Sequence, residues 1–474
     1  MHTNLIWFRN DLRICDNTAL YHACLSKTDK VIGLFIFTPK QWNRHYISIR
    51  KISFLHQHVK FLQDELLKLN INLYHHECTD FLNSIEYLSY FCKLNKVSRV
   101  FFNYQYEINE KNRDSLVTQE LSAQGVFIEG FHDNILIDPN KIKNKNNQPY
   151  KKFFFFKKQV IDYLYKNIPI CFPAPTKRIY HQHDILPIYL NKNDNINFDK
   201  NLFPIGEKEA INRIRDFYDN KIQYYFAKRN FPYLNNTSML SPYLSLGIIS
   251  IRYCLKMLLT KYQYQPLAVI LNSCWINEII WREFYYHLLI NFPILSKSQS
   301  LLKWEKKIHW ENDMNYFDAW KNGKTGFPII DAAMNQLNTT GWMHNRLRMI
   351  TSSFLVKNLL IDWREGEKYF MSSLIDGDYA LNNGGWQWSA SIGSDSTSYI
   401  RIFNPLRQSK KFDKSGFFIK KYLPELKMIP NSYIHNPYEW IVQNNCKTNY
   451  PEPIINHEYR KKNFLLIYKR AKLL

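Results

Sequence analysis

From Met1 to His132, apolar residues fall in short β-branched or aromatic runs, separated by longer stretches with helical spacing. The runs Asn4–Phe8, Val31–Phe37, Ile71–His75, Val97–Asn103 and Val126–Phe131 read as strands. The clearest intervening helix is Ile52–Leu69. There Phe54, Leu55, His58, Phe61, Leu62, Leu66 and Leu69 lie on one stripe. Strands alternating with helices predict right-handed βαβ units and a doubly wound, mostly parallel sheet. No G-x-G-x-x-G follows the first strand, so the dinucleotide-binding fingerprint is absent there.

The pattern decays between Asp133 and Phe203. PNKIKNKNNQPYKK, CFPAPTKRIYHQH and NKNDNINFDK are rich in Lys, Asn, Pro and Tyr and read as a connector, with one helix near Phe153–Tyr165. After Ile205 helical spacing dominates, as at Glu207–Tyr218, Asn277–Ile290, His344–Leu360 and Glu367–Ser373. The expected organisation is an α/β domain over 1–132, a connector over 133–203 and a larger all-α domain over 204–474. No internal repeat is evident.

The length of 474 residues exceeds one ordinary core. With 45% hydrophobic and 22% charged residues, the composition is that of a soluble globular protein. Sixty-three Lys and Arg against 41 Asp and Glu leave a net charge of +22, which points to a polyanion, nucleic acid before membrane. AT-rich coding would also raise Lys, Asn, Ile and Tyr, so charge alone leaves both readings open. None of the eight cysteines forms a C-x-x-C pair, which suggests a reduced, cytoplasmic chain without zinc or an iron–sulfur cluster. The opening MHTNLIWFRND lacks the apolar core of a signal peptide, and no apolar run is long enough to span a membrane. No heptad stripe appears. A monomer without an obligate protein partner is the expectation.

Four segments concentrate chemistry. In Trp275-Ile276-Asn277-Glu278-Ile279-Ile280-Trp281-Arg282-Glu283-Phe284-Tyr285, helical steps of three and four bring Glu278, Trp281, Arg282 and Tyr285 to one face. Indole stacks on bases, guanidinium meets phosphate and carboxylate accepts from a base edge. An ordinary buried helix with a Glu–Arg pair is the plainer reading. Gly341-Trp342-Met343-His344-Asn345-Arg346-Leu347-Arg348-Met349 sets Asn345 above Met349 with two arginines nearby. That suits a flat guest with polar edges, or merely a basic helix start. Asp376-Gly377-Asp378 leads through Asn382 into Trp386-Gln387-Trp388. Its acids and amides can hydrogen-bond a heterocycle, and their spacing does not match a calcium-binding EF-hand loop. Thr237-Ser238-Met239-Leu240-Ser241 offers hydroxyls and backbone N–H groups to an anion, or a simple N-cap.

In this order, on a helical C-terminal half, these segments resemble the DNA photolyase/cryptochrome family. The opening Trp7-Phe8-Arg9-Asn10-Asp11-Leu12-Arg13 with Asp16-Asn17 resembles its N-terminal signature. The likeness is closest to the bacterial class I branch that acts on cyclobutane pyrimidine dimers, with a folate antenna. It implies a carbon–carbon lyase that repairs dimers in DNA by light-driven electron transfer from reduced FAD. The alternative on the same fold is a cryptochrome-like blue-light receptor.

The resemblance implies roles residue by residue. Tyr225, Thr237, Ser238, Met239, Leu240 and Ser241 match positions that hold the FAD diphosphate, and Trp275 a further flavin contact. Asp376, Gly377 and Asp378 match positions near the ribityl chain and ring edge, with Arg348 partnering Asp376, and Asn382 faces flavin N5. Glu278, Trp281, Asn345, Met349 and Trp388 would meet the dimer, and Arg229, Arg282, Tyr285, Arg346 and Arg401 the DNA around it. Glu278 would also stabilise the reduced dimer. Asn345 and Met349 stand where enzymes for (6-4) photoproducts carry histidines, which favours the cyclobutane substrate. Trp310, Trp363 and Trp386 match an electron-transfer chain. Asn109 and Glu110 match the pair that binds a 5,10-methenyltetrahydrofolate antenna, with His45 and Lys297 as added contacts; Asn109-Glu110 also reads as a helix start.

Overall fold

The computed structural model describes residues 2–179, 197–394 and 400–473. The stretch 180–196, part of the expected connector, lies outside the described residues. The described residues form two compact units, one of residues 1–220 and 238–296, the other of residues 221–237 and 297–474. This division differs from the three parts expected from sequence. Helical residues 238–296 group with the N-terminal α/β part, and most of the expected connector belongs to the same unit.

Five strands build the sheet of the first unit: β1 Thr3–Phe8, β2 Lys30–Phe37, β3 Asn72–Glu77, β4 Arg99–Asn103 and β5 Phe127–Phe131. Their order is β3-β2-β1-β4-β5 and every pairing is parallel. β1 and β2 are buried along almost their whole length, as central parallel strands covered on both faces must be. Helix α1, Ile49–Lys68, buries Phe54, Leu55, His58, Leu62 and Leu66 from the anticipated stripe.

The chain after β5 is polar in sequence yet starts in the interior. Asp133 is 2% exposed and pairs with Arg13 and with Arg252, whose Nη2 lies 2.7 Å from Oδ1. Two guanidiniums hold its carboxyl below the ordinary carboxylate range despite complete burial. Ile135, Leu136 and Ile137 follow into the core. Helix α2, Phe153–Lys166, packs on helix α3, Cys274–Asn291. Glu283 of α3 accepts the N–H groups of Leu136 and Ile137 at 2.9–3.0 Å and tethers this helix to the strand exit. Gly247 (φ +60°) is required by packing. A Cβ there would lie 2.2 Å from the carbonyl oxygen of Asn10.

In the second unit, helices α4 (Asn345–Lys357), α5 (Trp363–Ser373) and α6 (Tyr379–Ser389) pack on one another around one large apolar cluster. Two short helices follow, α7 (Pro405–Phe412) and α8 (Phe417–Tyr422). No helix among the described residues is long and apolar enough to cross a membrane.

Candidate cofactor and DNA site

The start of α4 is set by His344, whose imidazole Nδ1 accepts the Arg346 N–H at 3.1 Å as the N-cap. Burial, reinforced by the positive charges of Arg346 and Arg348, lowers the His344 pKa to about 4, so the ring stays neutral and keeps an acceptor for this cap. Capping leaves Asn345 exposed at the helix tip and Met349 half-buried one turn on. Arg346 reaches Asn230 Oδ1 through Nη2 at 2.6 Å.

Arg348 turns the other way. Its Nε donates to the Met343 carbonyl at 2.8 Å, and Nη2 lies 2.7 Å from Asp376 Oδ2. Asp376 is 5% exposed, and its second oxygen, Oδ1, is buried without a hydrogen-bond partner. A buried carboxylate oxygen with no donor carries an energetic penalty unless a ligand supplies one. Asp378 caps α6 by accepting from the Leu381 N–H at 3.1 Å.

On α6 the positions Asp378, Asn382, Gly385 and Trp388 follow steps of four, three and three, so they share a face. The face is open at Gly385, where a Cβ would meet nothing within 4 Å. The Asn382 amide nitrogen donates to the Glu367 carbonyl at 2.9 Å, which fixes the side chain. Beside it, Glu367 accepts from Asn383 at 2.8 Å, and burial pushes its carboxyl up to about 7.

On the flank of α6 next to Asn382, Trp386 is 2% exposed. Trp363 of α5 is fully buried in the same cluster, and Trp310 packs on its edge only partly buried. Trp363 Nε1 donates to Glu305 Oε1 at 3.2 Å, and Arg364 grips both Glu305 oxygens at 2.9 and 3.0 Å. Gly366, one turn after Trp363, makes room for Trp386. A Cβ there would lie 2.1 Å from the indole.

In the first unit, α3 does not present the four-residue face anticipated. Glu278, Trp281 and Tyr285 are half-buried, but Arg282 is buried. Its Nη1 donates to the Asn134 carbonyl at 2.6 Å and its guanidinium covers Tyr286 at 4.5 Å. Arg282 therefore holds the chain after β5 and does not offer itself to phosphate, which corrects its assignment to DNA. Trp281 stacks on Phe153, centroids 3.5 Å apart. Trp275 is buried between Phe217 and Tyr218. In the Thr237–Ser241 segment, Met239 adopts φ +48°, a left-handed conformation that non-glycine residues rarely hold. Tyr225 lies under the Arg229 guanidinium, 5.8 Å from its ring centroid.

His45, Asn109 and Glu110, distant in sequence, do meet. His45 Nε2 is 3.0 Å from Asn109 Nδ2 and 2.8 Å from Gln41 Nε2, and Nδ1 is 3.4 Å from Glu110 Oε1. Glu110 Oε2 is buried and unpartnered, and burial raises the pKa of that carboxyl. Lys297 ends a short turn, Pro293–Lys297, whose other residues belong to the first unit, and itself opens the second. Arg401 is exposed, and its carbonyl accepts from Lys357 at 2.7 Å. Lys357 carries no sequence signal, because its partners, Ser391 and the Arg401 carbonyl, lie 34 and 44 residues along the chain.

The DNA photolyase family model matches residues 4–175, and that for the FAD binding domain of DNA photolyase matches residues 275–470. A deoxyribodipyrimidine photo-lyase of Buchnera aphidicola subsp. Acyrthosiphon pisum is 62% identical over 100% of this chain and 98% of its own length. The chain belongs to the DNA photolyase family. The deoxyribodipyrimidine photo-lyase of Escherichia coli is 44% identical, covering 100% of this chain and 99% of that one. Among solved structures, a class III photolyase from Agrobacterium tumefaciens superposes with a TM-score of 0.88 at 30% identity, covering 100% of this chain and 98% of the other. A Synechocystis cryptochrome shares the fold at TM-score 0.86 and 27% identity, with 98% and 99% covered.

FAD is the family cofactor, and the residues present fit it. Asp376 holds an unsatisfied buried oxygen for a hydrogen-bond donor, and the space beside Gly385 on α6 is free. Met239 holds a strained backbone in the segment matched to the diphosphate.

Proposed function

We propose that this protein splits cyclobutane pyrimidine dimers in DNA in a light-driven reaction. Full-length identity to relatives named deoxyribodipyrimidine photo-lyase carries the reading. When bound, reduced FAD would lend an electron on excitation and recover it once the two carbon–carbon bonds of the ring have broken, so the cycle has no net redox change. The chain's residues bind, orient and shield. Asp376, held by Arg348, and Asn382, held by the Glu367 carbonyl, would be the residues of this site that hold FAD. By their match to the family, Trp281 and Trp388 would each offer the extruded dimer an apolar ring, since a lesion that stacks and pairs badly is cheaply flipped. Glu278 holds a base edge and stabilises charge that develops on the dimer. Asn345 and Met349 would also meet the dimer, and Arg229, Arg346 and Arg401 the backbone.

Trp386, Trp363 and Trp310 pass from core to partly exposed surface, an order that suits relay of an electron from solvent during cofactor reduction. Glu110 and Asn109, beside His45, bind a folate antenna, whose amino-substituted ring answers the unpartnered Glu110 oxygen. The protein acts in the cytoplasm, as a monomer.

Purified protein should absorb as a flavoprotein and restore dimer-containing DNA in light but not in darkness. Repair of (6-4) photoproducts alone would refute the substrate. Flavin photochemistry without repair would assign the chain to light signalling.

A further inference from the structure

In the second unit, rings lead outward from Arg346. Its guanidinium lies over Phe412, 4.7 Å from the ring centroid, and the Lys411 ammonium is 5.4 Å from the same ring. Phe412 meets Phe231 edge-on at 6.3 Å, Phe231 meets Tyr233 at 5.9 Å, and Tyr233 meets Phe417 at 5.9 Å. The series climbs from core to solvent. Phe412 is buried, Tyr233 is 41% exposed and Phe417 is 61% exposed. A single exposed ring is ordinary, but a connected series ending in water marks an interaction surface.

The surrounding charge is one-sided. From Pro405 to Lys421 the chain carries six basic residues and one acid, Asp413. Asp413 is buried, and its carboxylate accepts the N–H groups of Phe418 and Ile419 at 3.0 and 2.9 Å. The surface is therefore cationic. The hydrogen bonds from Arg346 to Asn230 anchor the loop that carries Phe231 and Tyr233 to the start of α4.

We propose that this series is a stacking track for unpaired nucleotides. The inference rests on the repair reading and extends it: the track takes bases that lose their partners when a lesion is extruded, and it does not contact the dimer. Every base has a π-face, so stacking on Tyr233 and Phe417 is indifferent to sequence, while the lysines draw in the phosphates. A closed duplex hides its base faces, so the rings act only where strands have opened. A protein partner of matching charge would need acidic groups but no flat faces. Nucleotides answer both the rings and the cations.

The test uses full-length, flavin-loaded protein in the dark, with DNA free of dimers. Labelled oligothymidylate and an undamaged duplex are titrated against the parent and the Tyr233→Ala/Phe417→Ala variant. The variant should bind oligothymidylate about ten-fold more weakly or worse. Its duplex affinity should stay within about two-fold, since that depends on phosphate contacts. Tyr233→Phe should bind as the parent does. Flavin retention in each variant reports folding. Unchanged oligothymidylate binding with flavin retained overturns the proposal. So does an equal loss on both DNAs, and so does a parent that self-associates through these rings and becomes monomeric when they are removed. The measurement involves neither light nor lesion, so its outcome and the outcome of the repair assay are independent.

Discussion

At the scale of single residues, the site is read best from groups whose needs the chain leaves unmet. Asp376 has one oxygen in an ion pair and one buried without a donor. Asparagine there keeps the shape but removes the charge facing Arg348 and half of the acceptor capacity. Hydrogen bonds to charged groups contribute roughly 1.5–3 kcal/mol, so Asp376→Asn should weaken FAD binding by about ten- to a hundred-fold. Flavin content after purification and titration of the stripped protein check this; a variant with parental affinity would remove Asp376 from the cofactor site. Glu367 gives a pH signature. Its carboxyl has a pKa near 7 in the folded chain against an ordinary 4.5. Between those values the unfolded chain releases a proton that the folded chain keeps. Stability from this group is therefore whole below pH 4.5 and declines as pH rises toward 7. Glu367→Gln does not titrate, so the parent should lose stability relative to it, on the order of 2 kcal/mol between pH 5 and 8. Paired denaturant melts across that range would show a flat difference if the shift were absent.

At the scale of elements, the packing of α5 against α6 sets the positions of the tryptophans in the proposed relay. Gly366 is the only residue type that fits beneath Trp386, and Trp363 lies one turn before it. Gly366→Ala should displace the indole or loosen the helix pair, costing about 1–3 kcal/mol as overpacking does. Photoreduction of FAD should slow, while dark DNA binding holds. Trp363→Phe removes the middle indole and should slow photoreduction more severely, with repair by pre-reduced enzyme preserved. Transient absorption separates the two, and a Trp363→Phe protein that photoreduces at the parental rate would end the relay assignment. The elements themselves were largely legible. Central parallel strands read as continuous apolar runs, and all five were found within two residues of their anticipated bounds. The stripe of α1 was legible for the same reason of periodicity. Arg282 was misread because helical spacing alone cannot tell a solvated face from a buried one. Helix α3 is apolar nearly all round, and the partner of Arg282, Asn134, is 148 residues away. The connector expected from Asp133 onward likewise hid a buried start, since the charge of Asp133 is matched inside by Arg13 and Arg252. The meeting of His45 with Asn109 came from the family resemblance, since a contact 64 residues apart leaves no local pattern.

At the scale of the whole molecule, the net charge of +22 governs how DNA is found and how firmly it is held before any lesion is met. Cationic groups that neutralise phosphates release condensed counterions, and affinity falls as a power of salt concentration. Six to ten such contacts would lower undamaged-duplex binding by about a thousand-fold or more between 50 and 200 mM salt. Dimer recognition, if it runs through Glu278, Trp281, Asn345 and Trp388 as proposed, depends on stacking and hydrogen bonds, which salt screens far less. Plots of log affinity against log salt should thus run nearly parallel for damaged and undamaged duplexes, offset by a preference that salt leaves intact. Replacing Arg401 by alanine should make both lines shallower by about one contact. Replacing Trp281 by alanine should leave the slopes and shrink the offset. Converging lines for the parent protein would mean that the lesion is recognised through charge, and the roles given to the aromatic residues would then be wrong.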